Sequence, residues 1–363
     1  MSTGTRRPAA GAAIIDDYDA VLLDLDGVVY IGSHPIPHAA DVIGRVRARG
    51  VRCGFVTNNA ARTPAAVAAR LTKHGVPARS RDVVTSAQAA SHLLARRLPG
   101  NSEVLVIGGP GLVKAVRQAG LRPVRALGAK TAALVQGYAP DVDYAQLAEG
   151  TLAVARGLPW IATNRDSTRP TVRGIAPGNG ALVEVIRAAT GADPEVAGKP
   201  AEPLYDEAML RLGGGRALIV GDRLDTDIAW GHTVGADTLL VLCGVTTAAE
   251  LLAAPPELRP VYLARDLRTL LVPQPPLVRR DAGWTCGPWT ASVRGGELVI
   301  EATDRPTPHC ARTSAGIADP KAHTPAPNAD GADPVAALRA LCAASWACDK
   351  PPASAAALHM LRM

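Results

Sequence analysis

Aromatic side chains are scarce in this 363-residue chain: they make up 3% of it, and Phe55 is its single phenylalanine. A core built around stacked rings is excluded, so the 47% of apolar residues must pack mainly as aliphatics. Lysine is scarce as well, with arginine supplying most of the 39 basic residues. No run approaches the ~20 apolar residues that a membrane-spanning helix needs. The stretch from Met1 to Asp17 carries two arginines but no long apolar segment, so it does not read as a secretory signal. The six cysteines (Cys53, Cys243, Cys286, Cys310, Cys342 and Cys348) form no CxxC pair and no disulfide framework. A soluble, cytoplasmic protein is expected. Cys53 and Cys243 lie in apolar runs and read as small buried hydrophobes. Cys286, His309, Cys310 and His323 match no familiar zinc-ligand spacing and read as loop and surface residues.

The net charge of +6 and the pI near 9.1 raise the question of a polyanionic partner. The arginines, however, are scattered among carboxylates. The densest run, Arg45-Val46-Arg47-Ala48-Arg49, is interleaved with apolar residues as on one helix, and no aromatics alternate with it as stacking platforms. No nucleic-acid and no membrane partner is expected. Together with 35 glycines and 30 prolines, the arginine excess looks like the coding bias of a GC-rich genome. At about 150 residues per domain the length suggests two domains and a small additional piece.

Short apolar strands alternate with helices, which indicates parallel α/β architecture. Ala20-Val21-Leu22-Leu23 leads into Asp24-Leu25-Asp26-Gly27, and Cys53-Gly54-Phe55-Val56 leads into Thr57-Asn58-Asn59. Thr63-Pro64 opens a helix with threonine as N-cap and proline at the first turn, and His74-Gly75 closes it. Around Pro99-Gly100 the pattern restarts as a second α/β unit of roughly 90 residues, long enough for its own core. It then returns through Gly198-Lys199-Pro200 to a strand, Leu218-Ile219-Val220, that ends in Gly221-Asp222. After Val272 a hairpin is expected about Gly295-Gly296, a mobile linker over residues 304 to 333, and a helix with Val335, Leu338, Leu341, Cys342, Ser345 and Trp346 on one face. The expected division is a discontinuous core, 13–100 and 193–272, an inserted α/β domain, 101–192, and a carboxyl-terminal extension, 273–363.

The chemistry sits where strands end. In open parallel sheets, groups at the carboxyl ends of strands converge on one crevice. Asp24 and Asp26 end one buried strand and Asp222 another. Carboxylates brought together repel unless a cation offsets them, and an all-oxygen site suits Mg²⁺. Thr57 and Asn58 add donors for phosphate oxygens, and Lys199 adds a compact positive charge. These types suit phosphoryl transfer: Asp24 as nucleophile, Asp26 as acid and then base.

At Asp24-Leu25-Asp26-Gly27-Val28, Thr57-Asn58-Asn59, Gly198-Lys199-Pro200 and Gly221-Asp222-Arg223-Leu224-Asp225-Thr226-Asp227-Ile228, the sequence resembles the haloacid dehalogenase-like phosphatases. Ala162-Thr163-Asn164-Arg165-Asp166 and Pro177-Gly178-Asn179-Gly180 resemble those with an inserted α/β cap, the class IIA type. The resemblance spans about residues 18 to 270 and is strongest to actinobacterial glycerol-3-phosphate phosphatases. It implies a doubly wound parallel-sheet core with an inserted α/β cap domain and a small carboxyl-terminal extension of hairpin plus helix. It also implies Mg²⁺ held by the Asp24 carboxylate, the Asp26 backbone carbonyl and Asp222, with Asp227 supporting that site. Thr57, Asn58, Asn59 and Lys199 would hold phosphate, and Asp225 would be a solvated acid. Arg165 and Asp166 are candidates for cap contacts to the substrate, with an ion pair inside the cap as the rival reading.

The expected substrate is a small phosphorylated metabolite, glycerol 3-phosphate being favoured over phosphoglycolate, pyridoxal phosphate and nitrophenyl phosphate. A rival function, a regulatory or interaction protein, would use Trp284, Trp289 and Trp346 of the extension. Self-association is left open. Gly108-Gly109-Pro110-Gly111 reads as a tight turn of the cap, because it lacks the full dinucleotide-binding spacing and Pro110 removes a donor. Gly213-Gly214-Gly215 precedes a strand and reads as a loop.

Overall fold

In the computed structural model, which describes residues 11–171, 173–281, 283–302 and 333–361, the first strand, β1 (Ala20–Leu23), is buried along its whole length. Alternating side chains divide between two faces. Val21 and Leu23 pack with α1 (Ala39–Ala48) and α2 (Pro64–Lys73), on the same side as Phe55. Leu22 faces the opposite cluster. β2 (Arg52–Thr57) and the short β3 (Val83–Thr85) pair parallel beyond it. The Thr63 hydroxyl accepts from the Ala66 N–H at 3.2 Å and Pro64 occupies the first turn of α2, as its sequence dictates. α3 (Ser86–Ala95) starts with a reciprocal Thr85–Gln88 capping box.

The chain then leaves the first sheet. β4 (Glu103–Ile107), α4 (Pro110–Gln118), β5 (Arg122–Val124), β6 (Thr131–Gln136), α5 (Tyr144–Ala155) and β7 (Trp160–Ala162) follow. An antiparallel ribbon, β8 (Thr168–Thr171) with β9 (Gly174–Pro177), precedes α6 (Asn179–Thr190) and β10 (Glu195–Val196). Five of these strands form an all-parallel sheet, ordered β10-β7-β6-β4-β5. Pro123 sits in β5, an edge strand, where the missing N–H costs no ladder bond. One face of this sheet packs on α5 and α6 through Leu105, Ile107, Leu134 and Ile186. Its other face shares a cluster with the first sheet, joining Leu22 and Val56 to Val106 and Leu112.

After α7 (Pro203–Leu212) the first sheet is completed by β11 (Ala217–Gly221), which inserts beside β1. Beyond α8 (Ala229–Val234) come β12 (Asp237–Val241) and, after α9 (Ala248–Leu252), β13 (Tyr262–Ala264). The six strands run parallel in the order β13-β12-β11-β1-β2-β3. The reversal of direction beside β1 puts the ends of β1, β2 and β11 next to one another, where a crevice forms.

A second compact unit takes Thr247–Pro256 and the chain from Gln274 onward. It holds an antiparallel sheet of β14 (Leu277–Arg280), β15 (Gly283–Cys286), β16 (Trp289–Arg294) and β17 (Glu297–Ala302). The hairpin expected at Gly295-Gly296 is the β16–β17 connection, with Arg294 paired to Glu297. β14 and β15 were not legible, because Val278, Arg279 and Arg280 are exposed in succession and carry no alternating pattern. α10 (Pro334–Trp346) is buried on more than the one face expected: Ala336, Ala337 and Ala340 are enclosed as well as Leu338 and Leu341. Ser345 and Trp346 donate to the Leu252 and Leu251 carbonyls of α9. A short helix, α11 (Ala355–Leu361), ends the described chain. The expected linker, with His309, Cys310 and His323, lies outside the described residues except for Asp333. Among the described residues no helix is long and apolar enough to cross a membrane.

Phe55 is fully enclosed between β2 and the helices above it. Phe55→Ala is expected to destabilise the first unit by about 3–5 kcal/mol, read as a lower urea midpoint. Leu210→Ala, at a side chain 79% exposed on α7, should shift it by less than about 0.5 kcal/mol.

Candidate active site

Two strand ends deliver the carboxylates. Asp24 follows β1, and its N–H continues the ladder by donating to the Val220 carbonyl at 2.9 Å. Asp222 follows β11 and Asp227 lies one short helical turn later. Lys199, entering from the cap side, places its ammonium 2.6 Å from Asp24 Oδ1 and 2.7 Å from Asp227 Oδ1. Lys199 is 3% exposed, and Asp222 and Asp227 are each 1% exposed. Trp230 lies against the ammonium, its ring centroid 5.6 Å from Nζ. The aliphatic-rich core thus supplies one aromatic face at Lys199, the single buried lysine among the described residues.

The carboxylates of Asp24, Asp222 and Asp227 offer oxygens all within 4.8 Å of one another. One ammonium offsets only part of three charges. Burial, followed by repulsion from Asp227, pushes Asp222 up to about 7 despite the Val245 N–H. Burial also raises Asp24 well above the usual carboxylate range, with Lys199 opposing and Asp227 and Asp222 adding to the rise. Burial alone would lower the Lys199 ammonium, but Asp227 and Asp24 outweigh it and keep it protonated. The surplus negative charge therefore falls on the carboxylates, which makes the cluster a receptor for a proton or a cation.

The donor set fits a hard divalent cation. Asp222 Oδ2 accepts from the Val245 N–H at 2.8 Å, whereas its Oδ1 is buried with no hydrogen-bond partner. An anionic oxygen with no protein donor, beside a second carboxylate, suits a hard cation as ligand. Glycine lets the chain close around that oxygen. A Cβ at Gly27, whose φ is +88°, or at Gly244 would overlap the Asp222 carboxylate. Gly221 likewise leaves room for Asp227. The loop of Gly244 and Val245 was not singled out from sequence; its signal is a glycine just after the buried strand β12.

The Asn58 side chain makes contacts that the sequence did not reveal. Its Oδ1 accepts from the Lys199 N–H at 2.9 Å and its Nδ2 donates to the Lys199 carbonyl at 3.2 Å. The side-chain amide thus pairs with the lysine backbone as a strand would. The same Nδ2 reaches Asp166 at 3.2 Å, and Ser86 and Asn164 donate to the Asn58 carbonyl at 2.7 and 2.8 Å. Gly198 permits the clasp, because a Cβ there would meet Asn58 Oδ1 and the Thr163 carbonyl. Thr57 is buried, its hydroxyl accepting from the Asn59 N–H at 3.1 Å, and Asn59 Oδ1 turns back to the Ala61 N–H at 3.0 Å. The structure therefore brings Asp24, Asp222, Asp227, Lys199, Asn58 and Asp166 together, while the Asn59 side chain closes a local turn.

Asp26 stands apart from the carboxylate cluster and opens to solvent. Surrounding protein raises its pKa by desolvation, and Arg70, Arg62 and Arg169 oppose the rise. Arg169 extends from the β8–β9 ribbon and donates to the Tyr138 hydroxyl at 3.1 Å. Arg70 lies over the Tyr30 ring at 4.0 Å. These arginines, unrecognised in the sequence, put positive charge around Asp26. Arg165 does not join them: its guanidinium pairs with Glu184 and Asp193 inside the cap. Asp225 is exposed and paired with Arg223. Burial raises the Asp166 carboxyl, with the Asn58 amide opposing.

Gly244→Ala should force the Asp222 carboxylate out of place. The expected result is a 10- to 100-fold (about one to two decades) weaker apparent affinity for the divalent metal, measured by metal titration of the purified protein. Unchanged affinity would refute the tight seat described for Asp222.

The family model described as haloacid dehalogenase-like hydrolase matches residues 21–122, and a second HAD-like model matches residues 196–270. A D-glycerol 3-phosphate phosphatase of Mycobacterium tuberculosis is 42% identical over 296 residues, covering 79% of this chain and 80% of that one. A 5′-nucleotidase of Bacillus subtilis is 38% identical over 232 residues, covering 63% and 89%. Among solved structures, a glycerol phosphate phosphatase from M. tuberculosis in complex with magnesium superposes with a TM-score of 0.80 at 37% identity, over 96% of this chain and 99% of that one. With 42% identity to the D-glycerol 3-phosphate phosphatase over 79% of its length and family models matching two of its segments, the chain belongs to the haloacid dehalogenase-like hydrolases.

Proposed function

We propose that the protein is a Mg²⁺-dependent phosphomonoesterase that hydrolyses a small phosphorylated metabolite, with glycerol 3-phosphate favoured, through a phosphoryl group carried on Asp24. The observation that carries this reading is the buried cluster of Asp24, Asp222 and Asp227 around one ammonium, with a spare Asp222 oxygen. The similarity to a D-glycerol 3-phosphate phosphatase supports the substrate class.

Asp24 and Asp222 would hold the metal, joined by the Asp26 backbone carbonyl, with Asp227 beside them. When bound, Mg²⁺ neutralises carboxylate charge and draws electron density from the phosphoryl oxygens. Lys199 holds the Asp24 carboxylate in one orientation and supplies positive charge to the incoming dianion. Thr57 and Asn58 place backbone donors at the phosphate end, while the Asn58 side chain fixes the lysine main chain. Asp24 attacks phosphorus as the ester oxygen leaves, and Asp26 gives that oxygen its proton. Asp26 then takes a proton from the water that cleaves the acyl phosphate, returning Asp24 to its carboxylate. Arg62, Arg70 and Arg169 around Asp26 attract the anionic substrate.

Asp24→Asn should lower kcat by roughly 10⁴-fold or more with the fold retained by circular dichroism. Chelation should abolish turnover and added Mg²⁺ restore it. Comparison of kcat/KM for glycerol 3-phosphate, phosphoglycolate and pyridoxal phosphate checks the substrate. Turnover retained in Asp24→Asn would overturn the mechanism, and a marked preference for another ester would overturn the substrate alone.

A further inference from the structure

At the opposite end of the core sheet from the carboxylate cluster lies a groove of about 830 Å³ that the proposed reaction does not use. Arg52 begins β2 at the groove and Thr57 ends the same strand at the crevice, roughly 17 Å away at the ordinary strand rise. Arg47, Arg52, Arg79, Arg81 and Arg211 line the groove, and Asp82 is the one acidic residue among its lining. They come from four places in the chain: the last turn of α1, the start of β2, the approach to β3 and the last turn of α7.

The arginines on the floor are held in place without losing their charge. Arg52 donates to the carbonyls of Asp19, Leu212 and Gly214, and Arg47 to that of Pro77 at 2.5 Å. Carbonyls accept hydrogen bonds but carry no net charge, so each guanidinium keeps its full positive field. Arg211 is paired with Glu207, whereas Arg81 reaches Asp82 only at 3.9 Å. Among the described residues Arg47, Arg52 and Arg79 have no carboxylate at ion-pair distance. Cys53, also in the lining, gives no compensation, since burial pushes its thiol up to about 11 and leaves it neutral. Arg79 and Arg81 stand exposed at the rim with their side chains available. Like charges drawn together by fixed backbone contacts repel one another, and an anion placed among them relieves that repulsion.

We propose that this groove is a binding site for a small ligand bearing a chain of linked phosphates. A single phosphate could engage one or two planar guanidinium forks, whereas a tri-anionic or tetra-anionic chain can span floor and rim. No aromatic residue lines the groove to stack a nucleobase, so the recognised part is the polyphosphate itself. The site is independent of the ester hydrolysed in the crevice.

The test is isothermal titration of the metal-free full-length protein with inorganic tripolyphosphate at physiological ionic strength, with orthophosphate as the comparison probe. Tripolyphosphate is expected to bind wild type at one site and at least tenfold more tightly than orthophosphate. The Arg79→Ala/Arg81→Ala protein should lose at least tenfold in affinity, while circular dichroism and ester turnover stay at wild-type values. Lys199→Met, which removes the crevice ammonium and whose fold is checked by the same circular dichroism, should bind tripolyphosphate as wild type does. Undiminished binding by the double variant, loss of binding in Lys199→Met alone, or equal affinity for orthophosphate would each overturn the assignment.

Discussion

The ammonium of Lys199 is shared between Asp24 and Asp227 inside protein, and much of the first unit is arranged around keeping it there. A charge so deeply enclosed is tolerable only when its partners are close and fixed. Asp24 is fixed by the β1–β11 ladder, Asp227 by its contact with the Arg223 N–H, and the lysine main chain by the two hydrogen bonds of Asn58. Removing any one of these supports would leave a buried charge to find water or a proton. The glycines at 27, 198, 221 and 244 belong to the same constraint, since each leaves space that a neighbouring polar group fills.

The ammonium does not balance the cluster completely. Burial, and then the surplus of three carboxylates over one lysine, raises proton affinity at Asp24 and Asp222, and a buried oxygen of Asp222 has no protein donor. A site balanced within itself would have no call for a cation. Incomplete compensation at the floor, with Arg62, Arg70 and Arg169 around Asp26, creates a gradient that suits a metal inside and an anionic ester above it.

Asn58 also ties the core to the cap. Its carbonyl receives the Asn164 amide and its side chain reaches Asp166, both from the segment after β7. The hydrophobic cluster shared by the two sheets reinforces this connection. Cap residues therefore touch the group that orients the lysine, so cap position and lysine position are mechanically linked through a few polar contacts. In the second unit Trp346 is anchored to α9 through its indole N–H.

The sequence by itself determined the strands that end in Asp24, Thr57 and Asp222, because each is a short apolar run stopped by polar residues. It also determined the interruption by a second α/β unit and the lysine at 199, conspicuous in an arginine-rich chain. Less was legible where elements are short or exposed: β3 has three residues, and β14 lacks alternation. Only the tertiary structure decided that Asn58 clasps the lysine backbone, that Arg165 belongs to an ion-pair network in the cap, and that Gly244 borders Asp222. It also decided that scattered arginines meet in one groove. The reason is physical. Strand ends and helix caps follow from neighbours in sequence, whereas a side chain's partner is set by which distant backbone comes within about 3 Å of it, and that is fixed only when the sheets are stacked.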